Sequence, residues 1–244
     1  MSVLGIDIGG SGIKGAPVDL ATGELAQPRQ RIETPAPADV TSVVETVAEV
    51  VTRFDATDRV GITFPGVVVD GVVRTAANMD DSWLDAPAAE LFAARIGMPV
   101  TVLNDADAAG VAEMTYGAGR GRRGVTLMLT FGTGIGSALF LDGALVPNTE
   151  FGHLELRGGD AEEYASDRAR QLDGLDWPTW AGRVQEYLEM VEMLLRPDLM
   201  IIGGGVSKKA AEFLPFIDIR TPVVPAELRN TAGIVGAAQA ATLR

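Results

Sequence analysis

Three short apolar runs, far apart in the chain, each end in glycine. Residues 3–8 run into Gly9, Gly10, Ser11 and Gly12, followed by Lys14. Residues 125–130 run into Gly132, Thr133 and Gly134, and residues 199–202 into Gly203, Gly204 and Gly205. Apolar runs of this length read as buried strands. A strand that ends in glycine lets bare backbone N–H groups approach an anion. Any one of these loops is as readily an ordinary turn, but three together suggest one polyphosphate group held from several sides. Phosphoryl transfer is therefore the first expectation, with Thr130 at the end of its strand a further candidate contact.

The rest of the chain fits two α/β lobes. After the first glycine turn come a hairpin partner over residues 15–19 and a third strand over 29–33. A helix follows over 38–54, with Val40, Val43, Val44, Val47 and Val51 at helical spacing and Asp39 or Thr41 as its cap. A strand over 59–63, a hairpin around Asp70-Gly71, a helix over 86–96, a strand over 100–103 and a helix over 106–116 complete the first half. The second half repeats the theme. It has a hairpin around the second glycine turn, a short strand over 145–148, helices over 164–172 and 178–195, the strand before the third turn, a helix over 207–214 and a strand over 221–225. A small-residue helix over 232–242 ends the chain. The expected division is a small lobe over residues 1–110, onto which the helix over 232–244 packs back, and a larger lobe over 111–231. A ligand cleft between lobes is the expected arrangement.

Charge and composition exclude several classes. Twenty basic against 33 acidic residues give a net charge of −13, which argues against nucleic-acid binding. There is no cysteine and one histidine, so neither a thiolate nor a histidine-built zinc site is expected. No apolar run reaches membrane-spanning length and no signal peptide is visible, so the expected location is cytoplasmic, with no membrane partner.

Four clusters carry chemistry. Asp7, at the end of the first strand beside the phosphate turn, suits a magnesium ion held through water. Ser11 and Lys14 offer a hydroxyl and a point charge to phosphate oxygens. Asn104-Asp105 follows a strand and opens a helix, whose N-terminus favours an ionised carboxylate of the kind a phosphoryl-transfer base requires. From the dipeptide alone Asp105 reads first as a helix cap, and Asp107 competes with it as the base. Glu150, His153 and a carboxylate at Glu162 or Glu163 offer mixed donors and acceptors to sugar hydroxyls, though a lone histidine is more often structural. Asn78 is a further hydroxyl partner. Arg120, Arg122, Arg123, Lys208 and Lys209 are basic islands on an acidic protein, and form a polyphosphate groove only if the fold gathers them.

The three glycine turns in this order resemble the sugar kinase, actin and Hsp70 superfamily, whose turns bind phosphate, phosphate and adenosine. Within it, residues 7–14, Pro65-Gly66, Asn104-Asp105, residues 130–136, residues 150–153 and residues 203–205 are similar to the ROK family of sugar kinases and repressors. The Ser-Gly-x-Lys form of the first turn, with residues 197–199 and 201–209, resembles its polyphosphate-using glucokinases, some of which also accept mannose. The resemblance implies a two-lobed, actin-like (ribonuclease H-like) α/β fold with an interlobe cleft. It implies that Asp105 takes the proton of the sugar 6-hydroxyl and that Asn104, Glu150, His153 and Glu162, with Gly66 and Asn78, hold the sugar. Glu162 is preferred over Glu163 through the following Tyr164-Ala165-Ser166. The acceptor would be glucose, with mannose as the alternative, the donor inorganic polyphosphate, ATP or both, the cofactor Mg²⁺ and the assembly a homodimer. Many ROK proteins carry a cysteine-rich zinc segment. Here residues 157–163 hold no cysteine, so no zinc is expected. A sugar-sensing ROK regulator without a DNA-binding domain is the remaining alternative, with no room seen for a DNA-binding helix before residue 3.

Overall fold

The structure, a computed structural model, describes residues 2–55, 57–76 and 79–242. Its contacts divide the chain into two units, Met1–Ala112 with Thr231–Arg244, and Glu113–Asn230. The first unit opens with β1 (Ser2–Gly9) and β2 (Gly12–Asp19), an antiparallel hairpin whose two-residue tip is Gly10-Ser11. Then come β3 (Glu24–Leu25), β4 (Gln30–Ile32), α1 (Val40–Thr52), β5 (Val60–Phe64), the hairpin of β6 (Val68–Val69) and β7 (Val72–Val73), α2 (Ala88–Ile96), β8 (Val100–Asn104) and α3 (Asp105–Tyr116). The sheet order is β3-β2-β1-β5-β8, with β4 also on β2. β1, β5 and β8 run parallel, so their C-terminal ends carry Asp7, Thr63 and Asn104 to one edge of the sheet.

α1 forms where the valine spacing places it, and Asp39 is its cap, accepting from the Ser42 N–H at 3.1 Å. Val43, Val47 and Val50 face the core with Ile6, Ile8 and Phe64. Trp83 fills the gap between Phe64 and Phe92, with ring centroids 4.8 and 5.8 Å away, and its indole N–H donates to the Ala38 carbonyl at 3.0 Å. A buried indole needs that partner.

The second unit repeats the antiparallel-then-parallel theme. β9 (Val125–Phe131), β10 (Ile135–Leu141) and β11 (Ala144–Val146) form a meander. A tight hairpin of β12 (Glu155–Leu156) and β13 (Gly159–Asp160) leads into α4 (Ala161–Ala165), α5 (Asp167–Leu172) and α6 (Trp177–Leu195). β14 (Leu199–Gly204), α7 (Ala210–Phe213) and β15 (Val223–Pro225) follow. The sheet order is β11-β10-β9-β14-β15, with β14 parallel to both neighbours. Its core is Phe131, Trp180, Tyr187 and Phe213, with Trp180 edge-on to Phe131 at 5.7 Å.

Two expected helices differ in detail. The one over residues 164–172 is broken at Ser166, whose extended backbone ends α4 and whose hydroxyl accepts from the Ala169 N–H at 3.2 Å to start α5. The one over 207–214 is a 3-10 turn, Gly205–Lys209, then the single turn of α7.

The chain ends on α8 (Ala232–Ala240), which belongs to the first unit and packs on β1 and β5. The approach is backbone to backbone. A Cβ on Gly5 would lie 1.9 Å from the Ile234 carbonyl oxygen, on Gly61 1.8 Å from that of Ala237, and on Gly236 1.7 Å from that of Ala108. Only glycine permits these contacts. Among the described residues no helix is long and apolar enough to cross a membrane.

Candidate functional site

In the first unit, the cross-strand register places Asp7 opposite Lys14, and Lys14 opposite Arg31 of β4. Directly opposed residues share a face of the sheet. The Lys14 ammonium lies 3.3 Å from Asp7 Oδ2, and the buried Thr63 hydroxyl donates to Asp7 Oδ1 at 3.1 Å. Gly233, in the first turn of α8, leaves room for that carboxylate, since a Cβ there would be 3.0 Å from Oδ1. Arg31 donates to the Ser11 carbonyl and lies across Gly12, where a Cβ would be 2.4 Å from its Nε. The Thr34 hydroxyl donates to the Gly9 carbonyl. The turn is therefore held by its carbonyls, while the N–H groups of Gly10 and Ser11 have no hydrogen-bond partner among the described residues. Sequence reasoning missed Arg31; only the pairing register brings it to Lys14.

Asn104 and Asp105 take different roles. Asn104 is buried and caps α3, its Oδ1 accepting from the N–H groups of Ala106 at 2.8 Å and Asp107 at 3.1 Å. Its Nδ2 donates to the Gly66 carbonyl at 3.1 Å, and Gly66 sits where a Cβ would be 2.2 Å from the Thr75 carbonyl oxygen. Gly66 and Asn104 are thus brought together. Asp105, the first residue of α3, is exposed, whereas Asp107 is 1% exposed. Of the two, only Asp105 presents its carboxylate to solvent. Asn78 lies outside the described residues.

The second unit carries the other two turns and the histidine cluster. In the second turn the Gly132 N–H donates to the Gly134 carbonyl at 2.9 Å, and the Gly132 carbonyl accepts from the Arg168 N–H at 3.0 Å. The Ile135 N–H donates to Glu162 Oε2 at 3.0 Å. The N–H groups of Thr133 and Gly134 have no hydrogen-bond partner among the described residues. In the third turn Gly203 and Gly204 pair with Thr130 and Phe131, so the two turns end neighbouring strands. Gly204 has φ +78°, and a Cβ there would meet the Phe131 carbonyl oxygen at 2.4 Å. Gly205 opens the 3-10 turn, and the Ser207 hydroxyl donates to the Gly204 carbonyl at 2.9 Å.

Glu150 and His153 flank a 3-10 turn over Phe151–His153. The Ser137 hydroxyl donates to the Thr149 carbonyl at 2.6 Å and accepts from the Phe151 N–H at 3.0 Å. The Tyr187 hydroxyl donates to the Phe151 carbonyl at 3.2 Å. His153 Nδ1 is 2.7 Å from Asp160 Oδ2, and its Nε2 is 3.9 Å from Glu150 Oε2. Asp160 was not anticipated. It reaches the ring because Arg157 (φ +57°) and Gly158 (φ +85°) turn β12 back on β13 in two residues.

The electrostatics tie the cluster together. The Asp160 hydrogen bond raises the imidazole pKa above its usual 6.5, burial opposes this, and the charges of Glu162, Asp160 and Glu150 add to the rise. Burial raises the Glu150 pKa, His153 lowers it and Glu162 raises it further. Glu162 is thus near both residues, while its carboxylate end lies against Gly134, where a Cβ would be 2.3 Å from Oε2. Glu163 is exposed, with its Oε2 where a Cβ on Gly159 would be 2.8 Å away. The hairpin is also fastened at its tip, where Arg157 makes two hydrogen bonds to Glu186 at 2.8 and 3.0 Å.

Of the five basic residues singled out in the sequence, Arg122 and Lys208 line one cavity of the second unit, together with Arg229. Lys209 is instead paired with Glu212 at 2.8 Å.

Comparison with known proteins gives this geometry its context. The model of the ROK family matches residues 3–169. The polyphosphate glucokinase of Mycobacterium tuberculosis (strain CDC 1551 / Oshkosh) is 53% identical over 237 residues, which are 97% of this chain and 89% of that protein. The crystal structure of an inorganic polyphosphate/ATP-glucomannokinase from Arthrobacter sp. strain KM superposes with a TM-score of 0.94 at 53% identity, covering 99% of this chain and 98% of that one. A ROK family glucokinase from Streptomyces griseus, solved with glucose and AMPPNP, gives 0.83 at 26% identity, covering 99% of each chain. With the family model matching more than half its length and half its residues shared with these relatives, the chain belongs to the ROK family and has the actin-like α/β fold of its sugar kinases.

Proposed function

We propose that this chain is a glucokinase that transfers a phosphoryl group from inorganic polyphosphate, ATP or both to the 6-hydroxyl of glucose. One observation carries the reading. Glu162, charge-coupled to Glu150 and His153, also accepts the Ile135 N–H of the second glycine turn at 3.0 Å. A sugar-binding carboxylate and a phosphate-binding turn are therefore one piece of structure, as transfer between the two ligands demands. The identity to polyphosphate glucokinase over nearly the whole chain supports it.

Asp105 accepts the proton of the 6-hydroxyl as that oxygen attacks; a new O–P bond forms and the bond from phosphorus to the donor's bridging oxygen breaks. Glu150, Glu162 and His153 hold sugar hydroxyls, with Asp160 orienting the imidazole so that Nε2 is the atom left for the ligand. Asn104 shapes the segment around Gly66 and Asp105. Lys14, the amides of Gly10, Ser11, Thr133 and Gly134, and the third turn bind donor phosphates and spread their charge.

Asp7 fits magnesium. Among the described residues no group of three His, Cys, Asp or Glu side chains could hold a metal, and Asp7 is a single, quarter-exposed carboxylate already bound to a hydroxyl and an ammonium. That suits an ion that keeps its waters and travels with phosphates. Bound there, it would supply neutralisation of the developing phosphate charge.

A donor-by-acceptor panel tests the reading: polyphosphate and ATP, each with glucose, mannose and fructose. Glucose 6-phosphate from glucose with either donor is expected, and no glucose-dependent transfer from any donor would overturn it. Mannose as a second acceptor, a homodimer and a cytoplasmic location belong to the same proposal.

A further inference from the structure

We propose that a cavity in the second unit binds the phosphates of inorganic polyphosphate that lie beyond the one being transferred; this rests on the polyphosphate-donor reading above. The cavity has a volume of about 690 Å³ and carries Arg122, Lys208 and Arg229 against a single carboxylate, Glu227. Among the described residues none of the three cations is ion-paired, although the adjacent Lys209 is. On a protein of net charge −13, three cations against one carboxylate in one hollow make a local positive site. The remaining wall is Ser207 and small apolar residues, with no aromatic ring to stack a base.

The cavity is built, and it adjoins the third turn. Glu113 is fully buried, and its carboxylate accepts the Ala118 N–H at 2.9 Å and the Leu228 N–H at 2.8 Å. One carboxylate thus fixes the loop that carries Arg122 and the loop that carries Glu227 and Arg229. Ser207 both lines the cavity and donates to the Gly204 carbonyl of the third turn. A linear polyanion held at the third turn therefore has cations beside it for its next phosphates. A donor as short as a triphosphate needs that path less.

The test is the triple substitution Arg122→Gln, Lys208→Gln, Arg229→Gln, with Lys209→Gln as the control on a cation already paired. Each exposed cation lost is expected to raise the Michaelis constant for long-chain polyphosphate about threefold, so the triple variant rises more than tenfold. Its kcat, its glucose KM and its KM for ATP stay within about threefold. The slope of log KM against log salt falls by about two, since each neutralised phosphate releases roughly 0.7 of a counterion on a single-stranded polyanion. Equilibrium binding of long-chain polyphosphate without glucose is measured on the same proteins and should weaken in parallel. An unchanged polyphosphate constant, or an equal rise for ATP, overturns the proposal, the second by making the cavity a nucleotide site. If the wild-type chain binds polyphosphate but transfers nothing from it, the donor reading fails while the binding series still decides the cavity. If the triple variant melts early, Lys208→Gln alone is compared with Lys209→Gln: a rise of about threefold in the first only is expected, and equal constants overturn the proposal.

Discussion

Replacing Gly134 with alanine should weaken sugar binding without replacing a residue proposed to hold the sugar. The new Cβ would lie 2.3 Å from Glu162 Oε2 and 3.0 Å from its Cδ. The obstructed atom is the end of a flexible side chain, and Gly134 has no positive φ, so the carboxylate swings away and the backbone stays. The Ile135 N–H then loses a charged acceptor now at 3.0 Å, a hydrogen bond worth about 1.5–3 kcal/mol. If that energy holds Glu162 in its binding position, the KM for glucose rises roughly 10- to 100-fold at 1.4 kcal/mol per decade. The assay is the KM for glucose at saturating donor, with the melting temperature measured alongside. The sharper form is a double-mutant cycle. Because the Cβ acts only through Glu162, Gly134→Ala adds nothing to Glu162→Ala. Additive effects, or a glucose constant within twofold of wild type, would refute the coupling of turn and carboxylate.

Four further outcomes follow from the same geometry. His153 is the sole histidine, so NMR reads its titration unambiguously: it should lose its proton above 6.5, and Asp160→Asn should bring it back down. Because the folded pKa is raised, the stability this pair adds is full below 6.5 and fades as pH rises through the folded value, so the gap in melting temperature between wild type and Asp160→Asn should close with rising pH. Gly61→Ala puts a Cβ 1.8 Å from a backbone carbonyl that cannot swing aside, so it should cost about 3 kcal/mol or more and lower the melting temperature by roughly 6–12 °C; an unchanged melting curve would contradict the packing of α8. Arg31→Met releases the Ser11 carbonyl and should raise the donor KM with the glucose KM flat; the reverse pattern would contradict the first turn as a donor-binding element.

What the sequence disclosed was local. Glycines after apolar runs and the valine spacing of α1 are legible because strand ends and helical faces are written within a few residues. The cap of α3 reads one residue late from the sequence, at Asp105, whereas Asn104 accepts the N–H groups of Ala106 and Asp107. The break at Ser166 was hidden because a serine inside a helical pattern is tolerated, and only the extended backbone there reveals a second cap. Asp160 was hidden because its link to His153 depends on a two-residue hairpin whose first turn residue is an arginine at positive φ, not the asparagine that usually signals one. Arg31 and Arg229 were hidden for a different reason. The first reaches the phosphate turn through strand register, and the second reaches Arg122 through a buried glutamate that ties two loops more than a hundred residues apart. Periodicity does not encode either link.

The central claim is that Asp105 is the base in phosphoryl transfer to a hexose. Asparagine at that position keeps the size of the side chain and its place at the start of α3, and removes only its capacity to take a proton. With glucose and either donor, turnover of Asp105→Asn should fall by about 10²- to 10⁴-fold while the glucose KM changes by no more than about threefold. Turnover within threefold of wild type would contradict the account.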